Sequence, residues 1–152
     1  MFERFVVAWK YPLEVVVEDL YVRTGFLRSE VNAQEYCLSD YSLSLKEDLE
    51  RYFSGEKVDF SKYRVKIKSE FVRKVLNRVR KIGYGETLTY GDIAKELRTS
   101  PRAVGQALKA NPAPVVIPCH RVVSKNGIGG YSQGVDIKLE LLKLEKLNVT
   151  LK

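Results

Sequence analysis

Residues 89–109 read TYGDIAKELRTSPRAVGQALK, and this stretch decides the fold of the second half of the chain. Thr89 can cap a helix, with Asp92 three positions on and Ile93, Ala94 and Leu97 recurring at helical spacing. Ser100-Pro101 restarts a helix: a hydroxyl stands at the cap, and proline takes the first helical position, where its missing N–H is not needed. Val104, Ala107 and Leu108 then point one way, and Arg102, Gln106 and Lys109 the other. Two helices joined by the short turn around Arg98-Thr99 predict a helix-turn-helix. Gly105 costs about 1 kcal/mol relative to alanine in mid-helix. With Ala103 beside it, another body can approach this helix closely. That body is either nucleic acid meeting Arg102, Gln106 and Lys109, or another helix packed at the glycine beneath a solvated face.

Working outward, Ser69 can cap a preceding helix with Phe71, Val72, Val75, Leu76 and Val79 inward, ended by Gly83-Tyr84-Gly85. The first sixty residues have a different texture. Phe5 to Trp9, Leu13 to Glu18 and Leu20 to Leu27 are rich in β-branched and aromatic residues and read as strands. Ser44-Leu45-Lys46-Glu47 has capping-box spacing ahead of Leu49, Tyr52 and Phe53, and Gly55 can stop that helix. The expected fold class is therefore α+β. A small N-terminal α/β domain (1–60, antiparallel sheet plus helix) is followed by a polar connector (61–68). A mostly helical C-terminal domain of helix-turn-helix, winged-helix-like character occupies 69–152.

Composition bounds the function. The chain has 152 residues, 45% hydrophobic and 30% charged, which argues against disorder. No apolar run reaches the length of a membrane span, and Glu3 and Arg4 stand where a signal peptide would be apolar. We expect a soluble, cytoplasmic protein without a membrane partner. Two cysteines and one histidine are too few for a disulfide scaffold or a metal cage, so no metal is expected. Cys37 reads as an ordinary small thiol. A net charge of +7 fits either a solvated surface or a polyanionic partner.

The residues with chemistry lie downstream. Asn111-Pro112-Ala113-Pro114 precedes Val115-Val116-Ile117, a short apolar run that suits a buried strand, and Pro118-Cys119-His120-Arg121 follows. A thiol beside an imidazole and a guanidinium has the electropositive setting that favours a thiolate. The alternative is a buried structural cysteine next to a surface histidine. Neighbouring side chains in a regular element do not face each other, so any Cys119–His120 communication needs a turn or a bridging water. Lys125-Asn126-Gly127 signals a hairpin, and Ile128 to Ser132 forms a glycine-rich loop. The last helix, from about Val135 to Leu147, carries apolar rows Val135, Leu139, Leu142 and Ile137, Leu141, Leu144, with Glu145 between them. Glu145 is either a partly exposed residue at a frayed end or the carboxylate that orients His120.

Taken in order, these residues resemble a known family. Tyr90, Arg102-Ala103-Val104-Gly105, Asn111-Pro112, Pro118-Cys119-His120-Arg121-Val122-Val123, Gly130-Tyr131-Ser132 and Leu141-Leu142-Lys143-Leu144-Glu145 together are similar to the O6-alkylguanine–DNA alkyltransferases over about residues 70–147. The resemblance implies that Cys119 accepts the alkyl group, that His120 takes its proton through a water, and that Glu145 holds His120 in its tautomer. It implies that Tyr90 hydrogen-bonds N3 of an everted guanine and that the Ser132 N–H supports O6. The Val122 carbonyl would accept from the exocyclic amine, and Tyr131 would join them at the base. Asn111 would tie the recognition helix to the active-site segment. Arg102 would fill the gap left in double-stranded DNA, and Ser100, Ala103, Gly105, Gln106 and Lys109, with Thr99, would meet the minor groove. A single irreversible transfer by a monomer, without cofactor, is expected. Some relatives carry a zinc in the N-terminal half, but the residues for it are missing here. Two other readings are open: a non-catalytic helix-turn-helix damage sensor, and a Cys–His hydrolase.

Overall fold

The structure is a computed structural model and describes residues 2–29, 35–36 and 39–146. Cys37 and Leu147 lie outside the described residues. The chain forms two compact units, one of Met1–Lys66 with Pro112–Val116 and one of Ile67–Asn111 with Ile117–Lys152.

In the first unit, β1 (Phe2–Val7), β2 (Leu13–Glu18) and β3 (Tyr21–Phe26) form an antiparallel meander in the order β1-β2-β3. Phe5, Val7, Leu13, Val15 and Val17 are buried, as alternation on one face requires. Asp19 and Leu20, at φ 53° and 70°, make the two-residue turn between β2 and β3. Helix α1 (Asp40–Phe53) buries Leu45, Leu49, Tyr52 and Phe53 as expected. It begins earlier than the Ser44 capping pattern suggested, because the cap is Ser39. The deciding partner is distant in sequence: buried Glu3 on β1 accepts from the Ser39 N–H and Oγ, each at 2.7 Å, and from Ser42 Oγ. Gly55 ends the helix region at φ 101°, as its position implied.

Val115-Val116 is buried but is not a strand. Val115 adopts φ 77° in a turn, and this segment belongs to the first unit. There the Thr24 N–H donates to the Pro112 carbonyl (3.0 Å) and Thr24 Oγ1 to the Pro114 carbonyl (2.7 Å). Proline on both sides of an apolar run favours a turn over a ladder, since neither proline can donate.

The second unit holds α2 (Glu70–Val79), β4 (Leu88–Thr89), α3 (Tyr90–Leu97), α4 (Pro101–Lys109), a 3₁₀ turn (Cys119–Arg121), β5 (Val122–Val123) and α5 (Val135–Leu144). Ser69, Thr89 and Ser100 each accept from a backbone N–H three residues on, and Thr89 with Asp92 completes a capping box. Arg98, at φ 56°, makes the sharp turn between α3 and α4. Short β4 and β5 pair in parallel, Leu88 with Val122 and Thr89 with Val123, which fixes the start of α3 beside the 3₁₀ turn. Phe71 and Val135 are exposed instead of packed, because each sits in its helix's first turn at the end of the apolar stripe.

Candidate active site

Pro118 breaks the preceding segment, and the three residues after it form one turn of 3₁₀ helix. At three residues per turn, adjacent side chains leave the axis about 120° apart. Cys119 therefore lines a pocket while its neighbours turn elsewhere. The pocket encloses about 580 Å³. Its walls bring together Tyr90 from α3, Arg102, Gly105 and Lys109 from α4, and Tyr131 and Ser132 from the glycine-rich loop. Cys119 is 5% exposed.

Asn111 follows the end of α4 and is buried. Its Nδ2 donates to the Ile117 carbonyl (3.0 Å) and to Cys119 Sγ (3.1 Å). One amide thus holds the entry to the active-site segment and touches the sulfur itself. Burial pushes the Cys119 thiol up from its ordinary value, while the Asn111 hydrogen bond, the Lys138 charge and Tyr131 oppose it. Burial wins, so the electropositive setting alone does not maintain a thiolate.

Behind the turn, His120 Nε2 lies 2.7 Å from Glu145 Oε2, and both residues are buried. Glu145 is not at a frayed, exposed end. It also accepts from Arg121 Nε (2.9 Å) and Nη2 (3.1 Å) and from the Gly85 N–H (3.1 Å). Burial works against its charge, but the hydrogen bonds and charges of His120 and Arg121 overcome it and hold Glu145 well below the usual carboxylate range. Burial draws His120 down, against Glu145 and together with Arg121 and Lys138, so the imidazole is neutral at neutral pH. With Nε2–H donated to Glu145, Nδ1 carries the lone pair.

Tyr90 Oη donates to the Gly130 carbonyl (3.2 Å). Gly129 makes this placement possible: at φ 76°, a Cβ there would come within 2.8 Å of the Tyr90 ring and hydroxyl. The Ser124–Gly127 bridge closes the turn expected at Lys125-Asn126-Gly127. The Val122 carbonyl accepts from Lys138 Nζ (2.7 Å). On α4, Arg102, Gln106 and Lys109 are exposed, and a Cβ on Gly105 would meet nothing within 4 Å, so among the described residues no helix packs against the glycine. Ser100 Oγ is occupied as the α4 cap, accepting from the Ala103 N–H at 3.1 Å.

Sequence reasoning missed Arg121 and Lys138. Arg121 was visible only as a member of the Pro118-Cys119-His120-Arg121 string. Besides its fork on Glu145, it donates from Nη1 to the Ile82 carbonyl (2.8 Å). Lys138 did leave a signal, since it stands one turn before Leu141 and Leu142 on the apolar face of α5 and is fully buried. Among the described residues no cluster of His, Cys, Asp or Glu could hold a metal ion, and no helix is long and apolar enough to cross a membrane.

Residues 70–147 match the family model described as 6-O-methylguanine DNA methyltransferase, DNA binding domain. A methylated-DNA–protein-cysteine methyltransferase of Methanocaldococcus jannaschii is 64% identical over 80 residues, 53% of this chain and 48% of that protein. The chain thus spans about half the length of that relative. The enzyme of the same name from Metallosphaera sedula is 48% identical over 137 residues, 88% of this chain and 86% of its own. Among solved structures, Mycobacterium tuberculosis OGT in complex with DNA is 29% identical, with a TM-score of 0.77 over 93% of this chain and 91% of that one. A matching family model over half the sequence, and a relative matched nearly end to end, show that the chain belongs to the methylated-DNA–protein-cysteine methyltransferase family.

Proposed function

We propose that the protein repairs O6-alkylguanine in double-stranded DNA by moving the alkyl group onto Cys119, once per molecule. The observation that carries this reading is Cys119 at a pocket wall shared with residues of α4, with an amide donor on its sulfur and a buried His120–Glu145 pair behind it. The target atom lies inside the base stack, so the nucleotide must be turned out, at a cost of a few kcal/mol. Arg102 fills the space it leaves. Ala103, Gly105, Gln106, Lys109 and Ser100 follow the groove, with small side chains where the approach is tightest.

In the transfer, His120 Nδ1 takes the Cys119 proton through a water, and the sulfur attacks the alkyl carbon in line. The C–O6 electron pair leaves with guanine. A hydrogen bond from Tyr90 at N3 and the Ser132 N–H at O6 stabilise that charge, and the proton lost by the thiol is balanced by the one guanine gains. Tyr131 and the Val122 carbonyl complete the contacts to the base. The thioether product is stable, so no turnover follows. All of these groups come from one chain, which supports a monomer. A substrate that is the cell's own duplex DNA supports a cytoplasmic location. No cofactor enters any step.

The test is intact mass after incubation with duplex DNA containing one O6-methylguanine. We expect a single methyl group on Cys119 and none on Cys119→Ala, which still binds DNA. DNA binding with no adduct on the wild type would favour a damage sensor instead.

A further inference from the structure

We propose that Lys138 is a positioning residue for this transfer: its ammonium ties the Val122 carbonyl, the Gly130 carbonyl and the Tyr90 ring into one arrangement beside Cys119. The proposal rests on the alkyl-transfer reading above. Nζ donates to the Val122 carbonyl (2.7 Å) and the Gly130 carbonyl (2.9 Å) and lies 5.7 Å from the centre of the Tyr90 ring. One side chain on α5 thus contacts β5, the glycine-rich loop and α3, the three elements that carry the groups assigned to the base.

The chemistry of that environment is telling. A fully buried ammonium is expensive, and a methionine of similar length would fill the same space without the penalty. Its direct acceptors are neutral carbonyls. Burial draws Lys138 down to about 8, while Cys119, once ionised, draws it back up. The same pair acts in reverse on the thiol, which the Lys138 charge pulls down. Cation and thiolate stabilise each other, so Lys138 is most firmly charged when the sulfur is ready to attack.

The Gly130 carbonyl accepts from both Tyr90 Oη and Lys138 Nζ. A base that takes the Tyr90 hydroxyl removes only one of these donors. Lys138 then keeps the loop and β5 at their spacing, so the pocket does not relax when Tyr90 changes partner. The titratable groups around Lys138 and the sulfur are Tyr90 from α3, Cys119 and His120 on the 3₁₀ turn, and Tyr131 from the loop.

The experiment compares full-length wild type, Lys138→Met and Lys138→Arg. Methyl transfer from duplex O6-methylguanine is followed by mass at saturating DNA, affinity is read on unmodified duplex, and the reaction of Cys119 with iodoacetamide is read against pH. Lys138→Met should transfer about ten- to a hundred-fold more slowly with unchanged affinity, the scale that misplaced reacting groups produce. Its iodoacetamide profile should move to higher pH, which a purely structural lysine would not cause, and Lys138→Arg should leave that profile in place. If Lys138→Met does not fold, the side-chain carbon resonance of Lys138 in the wild type decides. It shifts on methylation of Cys119 if the two are coupled, and an unmoved resonance overturns the proposal. Equal transfer rates and thiol profiles in wild type and Lys138→Met overturn it too, whereas a wild type that forms no adduct overturns the alkyl-transfer reading beneath it.

Discussion

Replacing Glu145 with glutamine tests whether the buried pair behind the turn is held by charge. Glu145 is 3% exposed and accepts hydrogen bonds from Arg121 (2.9 and 3.1 Å), from His120 (2.7 Å) and from Gly85 (3.1 Å). Glutamine keeps the shape, but its amide nitrogen must face at least one of those donors, and the Arg121 guanidinium loses its counter-charge. Removing one partner of a buried ion pair costs about 3–5 kcal/mol. For a chain of this size that is a fall in Tm of about 6–20 °C. Thermal or urea unfolding at pH 7 reads it directly. The depressed carboxyl contributes its full stability above its ordinary value of 4.5 and loses it progressively as pH falls from there through its lower native value, so most of the gap to Glu145→Gln should persist at pH 4. The double variant Arg121→Met/Glu145→Gln should recover part of the loss, because no orphan charge remains. Methyl transfer by Glu145→Gln should fall about a hundred-fold or more, as His120 loses the partner that fixes its tautomer. A Tm within about 3 °C of wild type, or a double variant no more stable than the single one, would refute the charge argument.

Two glycines should respond oppositely to alanine. Gly129→Ala pushes a methyl into Tyr90 at 2.8 Å in a left-handed conformation, so it should cost about 1–3 kcal/mol in chemical unfolding and slow transfer. Gly105→Ala meets nothing within 4 Å, so it should gain about 0.5–1 kcal/mol yet weaken binding to duplex DNA in a titration. Arg102→Ala should slow transfer from duplex DNA in a single-turnover assay and leave reaction with a free O6-alkylguanine base unchanged; an equal loss on both would remove Arg102 from its role. Because His120 is drawn below its ordinary value of 6.5, it stays a neutral base as pH falls through 6.5, and the acid limb of a transfer-rate profile should lie lower still.

What the sequence made legible was local. Caps at Ser69, Thr89 and Ser100 announce themselves within four residues, and all three helices start where those signals stand. The two misread segments have different causes, one a partner far along the chain and one the immediate neighbours. Ser44 to Glu47 has the right spelling for a helix start, but Glu3 supplies the acceptor that makes Ser39 the cap. Val115 to Ile117 has strand composition, yet prolines on both sides leave Val115-Val116 in a turn. The site divides the same way. Cys119, His120 and the pocket-lining Tyr90, Tyr131 and Ser132 stand in short motifs, and Glu145 was open to two readings until its partners were in place. Arg121 and Lys138 act across 24 and 16 residues, at separations no short motif encodes.

The single 3₁₀ turn at Cys119–Arg121 works by counting. Each step along it swings the next side chain a third of a revolution, so thiol, imidazole and guanidinium are sorted by ordinal position. Inserting even a glycine between Pro118 and Cys119 would leave all three groups present and chemically intact while dialling each one into its neighbour's sector. The segment should therefore tolerate many replacements of spelling but no change of length, a constraint that scanning one residue at a time would never expose.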